Sequence, residues 1–154
     1  MITYVDTSVV LKLLVDDESG GDAAERLWLQ SEFVVCAEIG YAEACAALAA
    51  VRRNERLTAA SYMVAKEELE ALWSQVDVVA VTTDLVRTAG SLAESEMLRG
   101  YDAVHLAASL AANSAVFASA DDRLLAAAQR NGMSTSNPLK SAEPPTGPTM
   151  TEWR

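Results

Sequence analysis

Short, nearly unbroken apolar runs alternate along this chain with longer segments in which apolar side chains recur every three or four positions. Residues 2–5, 33–36, 77–81 and 115–119 are the apolar runs, and continuous apolar character predicts strands buried on both faces, as in a parallel sheet. Helical spacing marks residues 9–14, 23–30, 38–53, 58–73, 84–97 and 124–131. A further helix is expected after Arg99, where Ala103, Leu106, Ala107 and Leu110 line one face. Gly100 is expected to close the helix before it, and Asn131-Gly132 the last one. Residues 133–136 read as a final short strand. Strands alternating with helices predict an α/β/α sandwich, its parallel sheet of four to five strands flanked by about seven helices.

The segment 16–22 is charged and contains two glycines, and reads as a solvated loop without chemistry. From Pro138 onward the chain carries Pro144, Pro145, Gly147 and Pro148. That composition predicts a disordered tail outside the fold, so the domain is placed at 1–137 and the tail at 138–154. A chain of 154 residues fits one domain with a sizeable core. No apolar run approaches the roughly 18 residues of a membrane span, and the N-terminus lacks a signal-peptide pattern. The expected location is cytoplasmic.

Two cysteines, Cys36 and Cys45, lie in segments that read as buried, and His105 is the sole histidine. A zinc site, which needs three or four such ligands at short spacing, is therefore not expected, and both thiols read as reduced core side chains. The net charge of −10 argues against broad attraction to nucleic acid and suits a basic protein partner. It leaves a nucleic-acid enzyme open, because divalent cations invert the local field at a site.

Four acids stand out. Asp6 follows the first apolar run and opens Asp6-Thr7-Ser8 before a helix, so it either caps that helix or occupies a ligand site at a strand's carboxyl end. Asp102 is the one formal charge between Gly100 and Ala120. Desolvating it costs several kcal/mol unless it is paired, and with no Lys or Arg in the turns that follow, it either caps its helix or faces a cation. Glu43 shares a helix face with Ile39, Ala46, Ala47 and Ala50, where a solvent-facing Glu would have polar neighbours. Asp121 follows the fourth apolar run, with Asp122 beside it as a substitute. Four carboxylates brought to one edge would repel each other, and a divalent ion with all-oxygen ligands, Mg²⁺ or Mn²⁺, relieves that. Such ions activate water and neutralise a phosphodiester, so metal-dependent phosphodiester hydrolysis follows from the residues. No glycine-rich phosphate loop with a lysine occurs, which argues against nucleotide hydrolysis.

At these residues the chain resembles the PIN-domain ribonucleases, and specifically the VapC toxins of bacterial toxin–antitoxin pairs. Tyr4-Val5-Asp6-Thr7-Ser8, Ala42-Glu43-Ala44 with Ala47-Leu48, Arg99-Gly-Tyr-Asp102-Ala-Val-His105-Leu-Ala, and Ser119-Ala-Asp121 with Leu124 are similar to that family's motifs in order and spacing. The resemblance implies a PIN-like fold and Mg²⁺, with Mn²⁺ able to substitute, ligated by Asp6, Glu43, Asp102 and Asp121. Ser8 is held as a supporting residue, and Thr7 as one able to position a ligand or phosphate. It further implies endonucleolytic RNA cleavage, a VapB-type antitoxin partner, a homodimer and a higher assembly with the antitoxin. His105, almost one turn from Asp102, is read as structural in preference to a catalytic base. The alternative is a non-catalytic module whose acidic groove captures a basic peptide.

Overall fold

The computed structural model describes residues 1–140. The chain runs β1 (Ile2–Val5), α1 (Thr7–Leu14), α2 (Gly21–Gln30), β2 (Phe33–Ala37), α3 (Ile39–Arg53), α4 (Ala59–Trp73) and β3 (Val76–Val79). It continues through α5 (Thr83–Glu96), α6 (Gly100–Ala111), β4 (Val116–Ala118), α7 (Asp122–Arg130) and β5 (Ser134–Ser136), then a 3₁₀ turn at Pro138–Lys140. The five strands form one parallel sheet in the order β3-β2-β1-β4-β5. The predicted α/β/α sandwich with seven helices is what the described residues form.

Strand alternation sorts the core into two layers. Tyr4, Val35, Ala37 and Phe117 face one way and pack with α5, α6 and α7, while Val5, Val34, Cys36, Val76 and Ala118 face α1, α2, α3 and α4. Being buried on both faces is why these strands read as unbroken apolar runs. The chain leaves β1 toward β2 and β3, then returns to β4 and β5 on the other side. The sheet therefore has its switch point between β1 and β4, the place where open α/β sheets bind ligands outside the strands' carboxyl ends.

Several local expectations need correction. Gly100 does not close α5; Met97 does, in the left-handed region at φ 53°, and Gly100 opens α6. The third strand is Val76–Val79, ending two residues before the predicted boundary. The acidic segment 16–22 is not merely solvated: Arg56 donates to Asp17 and Glu18, and the buried Lys12 pairs with Glu18 at 3.4 Å. Arg56 thereby ties the α3–α4 connection to that loop. Pro138–Lys140 is ordered, its carbonyl at Pro138 lying 2.7 Å from where a Cβ would stand on Gly20, which adopts φ +86°. The remainder of the expected tail, 141–154, lies outside the described residues. Among the described residues no helix is long and apolar enough to cross a membrane, and both cysteines are free.

Candidate active site

Asp6 leaves β1 in extended conformation and caps α1, its Oδ1 accepting from the Ser8 amide at 3.1 Å and the Ser8 hydroxyl at 2.5 Å. Oδ2 accepts from the Ser119 hydroxyl at 2.5 Å. The same two serines accept from backbone amides of the loop after β4, Ser8 from Ala120 and Ser119 from Asp121, both at 3.0 Å. Together these bonds stitch the end of β1 to the end of β4. Asp6 is only 7% exposed. Burial raises its pKa above the usual carboxylate value, against the opposing pull of Ser119, Ser8 and His105. Asp6 thus caps the helix and is a desolvated carboxylate at the switch point. Ser119 belongs to the Ser119-Ala-Asp121 motif, but its bond to Asp6 has no sequence signal, since a small polar residue ending an apolar run is not distinctive.

Glu43 projects half-buried from α3, and its Oε1 accepts from the Thr7 hydroxyl at 3.2 Å. The same oxygen lies 2.5 Å from His105 Nε2. Asp102 stands in the first turn of α6, where the helix dipole favours a carboxylate. Its counter-charge comes from before it: Arg99, one turn earlier, donates from Nε to Asp102 Oδ2 at 3.2 Å. The Arg99 guanidinium also lies 5.0 Å above the Tyr101 ring centre. Its pKa is raised by Asp102, with smaller contributions from Tyr101 and Asp121, which sets Asp121 within electrostatic reach of the same group. Asp121 caps α7, Oδ1 accepting from the amides of Arg123 and Leu124 at 2.9 and 3.3 Å. Asp122 turns away: it is exposed, accepts from Asn137 and pairs with Lys140 at 3.2 Å, which holds its pKa low.

Asp6 and Asp121 are linked through Ser119, Glu43 is joined to the start of α1 through Thr7, and Asp102 and Asp121 both act on Arg99, but among the described residues no three metal-binding side chains gather closely enough to enclose one ion. The donor set nevertheless suits a hard divalent cation. In Glu43, Asp102 and Asp121 alike, every hydrogen bond from the described residues goes to one carboxylate oxygen, leaving the other without a donor. Oxygen-only ligands of this kind select Mg²⁺ or Mn²⁺ over softer metals.

The family model for the PIN domain matches residues 3–130. Ribonuclease VapC45 of Mycobacterium tuberculosis (strain CDC 1551 / Oshkosh) is 38% identical over 110 residues, covering 71% of this chain and 76% of its own. Among solved structures, PAE2754 from Pyrobaculum aerophilum superposes with a TM-score of 0.68 at 18% identity, covering 92% of this chain and 95% of its own. VapBC-1 from nontypeable Haemophilus influenzae gives a TM-score of 0.59 at 17% identity, covering 91% and 100%. At these identities the two structures bear on the fold alone.

Proposed function

This chain belongs to the PIN-domain family, and from that premise we propose that it is a VapC-type endoribonuclease toxin in which Asp6, Glu43, Asp102 and Asp121 hold Mg²⁺, with Mn²⁺ able to substitute. The observation carrying the metal assignment is the set of donor-free oxygens on Glu43 of α3, Asp102 of α6 and Asp121 after β4. A divalent ion bound there supplies an activated water and neutralises phosphodiester charge.

The chain's own residues prepare that site. Ser8 and Ser119 hold Asp6 rigid at the strand end while keeping backbone amides of 120 and 121 engaged. Thr7 steadies Glu43, and the start of α6 presents Asp102 beside Arg99. Asp122 is left out of the ligand set, because its carboxylate is committed to Lys140 and Asn137.

The partner in this reading is a VapB-type antitoxin in a cytoplasmic complex. The net charge of −10 favours a basic segment of that partner over free RNA as a resting occupant. A ribonuclease among the relatives weighs against the non-catalytic module.

The test is inducible bacterial expression of the wild type and the nearly isosteric Asp102→Asn, followed by mapping of 5′-phosphorylated RNA ends. The expected result is growth arrest with a few sharp new ends for the wild type and neither for the variant. New ends made equally by both proteins would remove Asp102 from the chemistry.

A further inference from the structure

One polar chain runs from the interior of the sheet to Glu43. Tyr4 is fully buried on β1, its ring stacked on Phe117 with centroids 5.0 Å apart. Its hydroxyl accepts from the Ala37 amide at the end of β2, at 3.0 Å. The hydroxyl proton then needs an acceptor where water has no access. His105 Nδ1 lies 2.5 Å away. The competing neighbour is the Cys36 thiol, which burial pushes up to about 12, so it stays protonated and is the weaker acceptor. The hydroxyl therefore donates to Nδ1, and the ring proton sits on Nε2. From there it is donated to Glu43 Oε1 at 2.5 Å.

We infer that His105 is a positioning residue for Glu43: Tyr4 takes up the Nδ1 side of the ring, so that Nε2–H faces and pins one Glu43 oxygen and Oε2 remains the oxygen offered to a cation. The inference rests on the four-carboxylate reading above. A histidine that merely filled the core would need its ring buried and its nitrogens satisfied. Here the two nitrogens connect the backbone of β2 to the Glu43 side chain. Thr7 adds its hydroxyl to the same oxygen, Oε1, and among the described residues Oε2 receives no hydrogen bond. Partners of this kind behind a metal ligand are worth about ten- to a hundredfold in metal affinity.

Four proteins test it: the wild type, His105→Gln, His105→Leu and Tyr4→Phe. Gln keeps an N–H donor near the position of Nε2, Leu keeps only bulk, and Phe keeps the stacked ring without the hydroxyl. Ring ¹⁵N shifts at neutral pH without metal are expected to show the Nε2–H form in the wild type and a mixture of forms in Tyr4→Phe. Calorimetric Mn²⁺ binding is expected within about threefold of wild type for Gln, and ten- to a hundredfold weaker for Leu. RNA cleavage is expected to fall in kcat in that order, with KM for RNA unchanged. A wild-type ring that is doubly protonated or carries its proton on Nδ1 would overturn the inference, as would His105→Leu binding Mn²⁺ like the wild type. If His105→Leu fails to fold, Tyr4→Phe decides alone: wild-type ring shifts and wild-type Mn²⁺ affinity in it count against the relay. A wild type that binds no Mn²⁺ overturns the metal reading itself and the positioning role with it, and the metal-free ring shifts distinguish that failure from an error in the relay.

Discussion

Asp6 is the residue where structure and chemistry pull in opposite directions. Its carboxylate is desolvated at the end of β1, and three donors from Ser8 and Ser119 offset only part of that cost. Replacing it with Asn removes the charge and keeps the shape. Oδ1 still accepts from Ser8, and Ser119 need only turn from donor to acceptor. Metal-free Asp6→Asn is therefore expected to melt at or above the wild-type temperature at neutral pH while losing RNA cleavage. A clear fall in melting temperature in calorimetry would mean that the ionised carboxylate holds the two strand ends together. The positions of Asp6 and Asp102 are legible in sequence because each is the single charge beside an apolar run, where desolvation forces the question of what pairs with it. The Tyr4–His105–Glu43 chain is not legible. Tyr4 and His105 are 101 positions apart, and a contact across the sheet leaves no periodic trace in either segment.

Two elements meet closely where α3 leaves β2. A Cβ on Gly40 would stand 2.5 Å from Cys36 Sγ and 3.3 Å from the Trp73 ring. Two effects compete in Gly40→Ala. Alanine improves helix propensity by up to about 1 kcal/mol, while overpacking a closed core costs roughly 1–3 kcal/mol. Cys36 is fully buried and its short side chain cannot swing aside, so the clash wins. The variant is expected to melt about 2–4 °C below wild type. The double variant Gly40→Ala with Cys36→Ala is expected to recover part of that loss, as contacting residues couple. Greater stability in the single variant, read by thermal unfolding, would show that α3 can shift away from β2. Helices and strands are legible from periodicity because burial imposes it directly. The end of α5 is misread because Met97, not a glycine, takes the left-handed position. A residue that accepts that strain carries no composition signal.

For the whole molecule, the sheet order follows from burial: strands apolar on both faces need helices on both sides, and right-handed crossovers carry β1–β2–β3 one way and β4–β5 the other. That reversal brings residues 6 and 121, far apart in sequence, to one edge of the sheet. The end of the domain is harder to read, because Pro138 looks like the start of a tail. In the fold, Pro138 is buried, its carbonyl closes on Gly20, and Lys140 reaches Asp122 on α7. The 3₁₀ turn thus contacts the loop before α2 and a helix on the opposite side of the sheet. The exposed Lys140–Asp122 pair adds little, since such pairs are worth about 0–1 kcal/mol. The burial of Pro138 is the larger loss when the turn is removed. A chain ending at 140 is expected to melt with the full-length protein and to cleave RNA at its rate. One ending at 137 is expected to melt about 2–4 °C lower, with faster amide exchange at residues 18–22, where the turn no longer covers Gly20. Equal melting and equal exchange for both truncations would return the boundary to 137. A loss of stability already at 140 would mean that residues 141–154 contribute to the fold, against the expectation from their proline content.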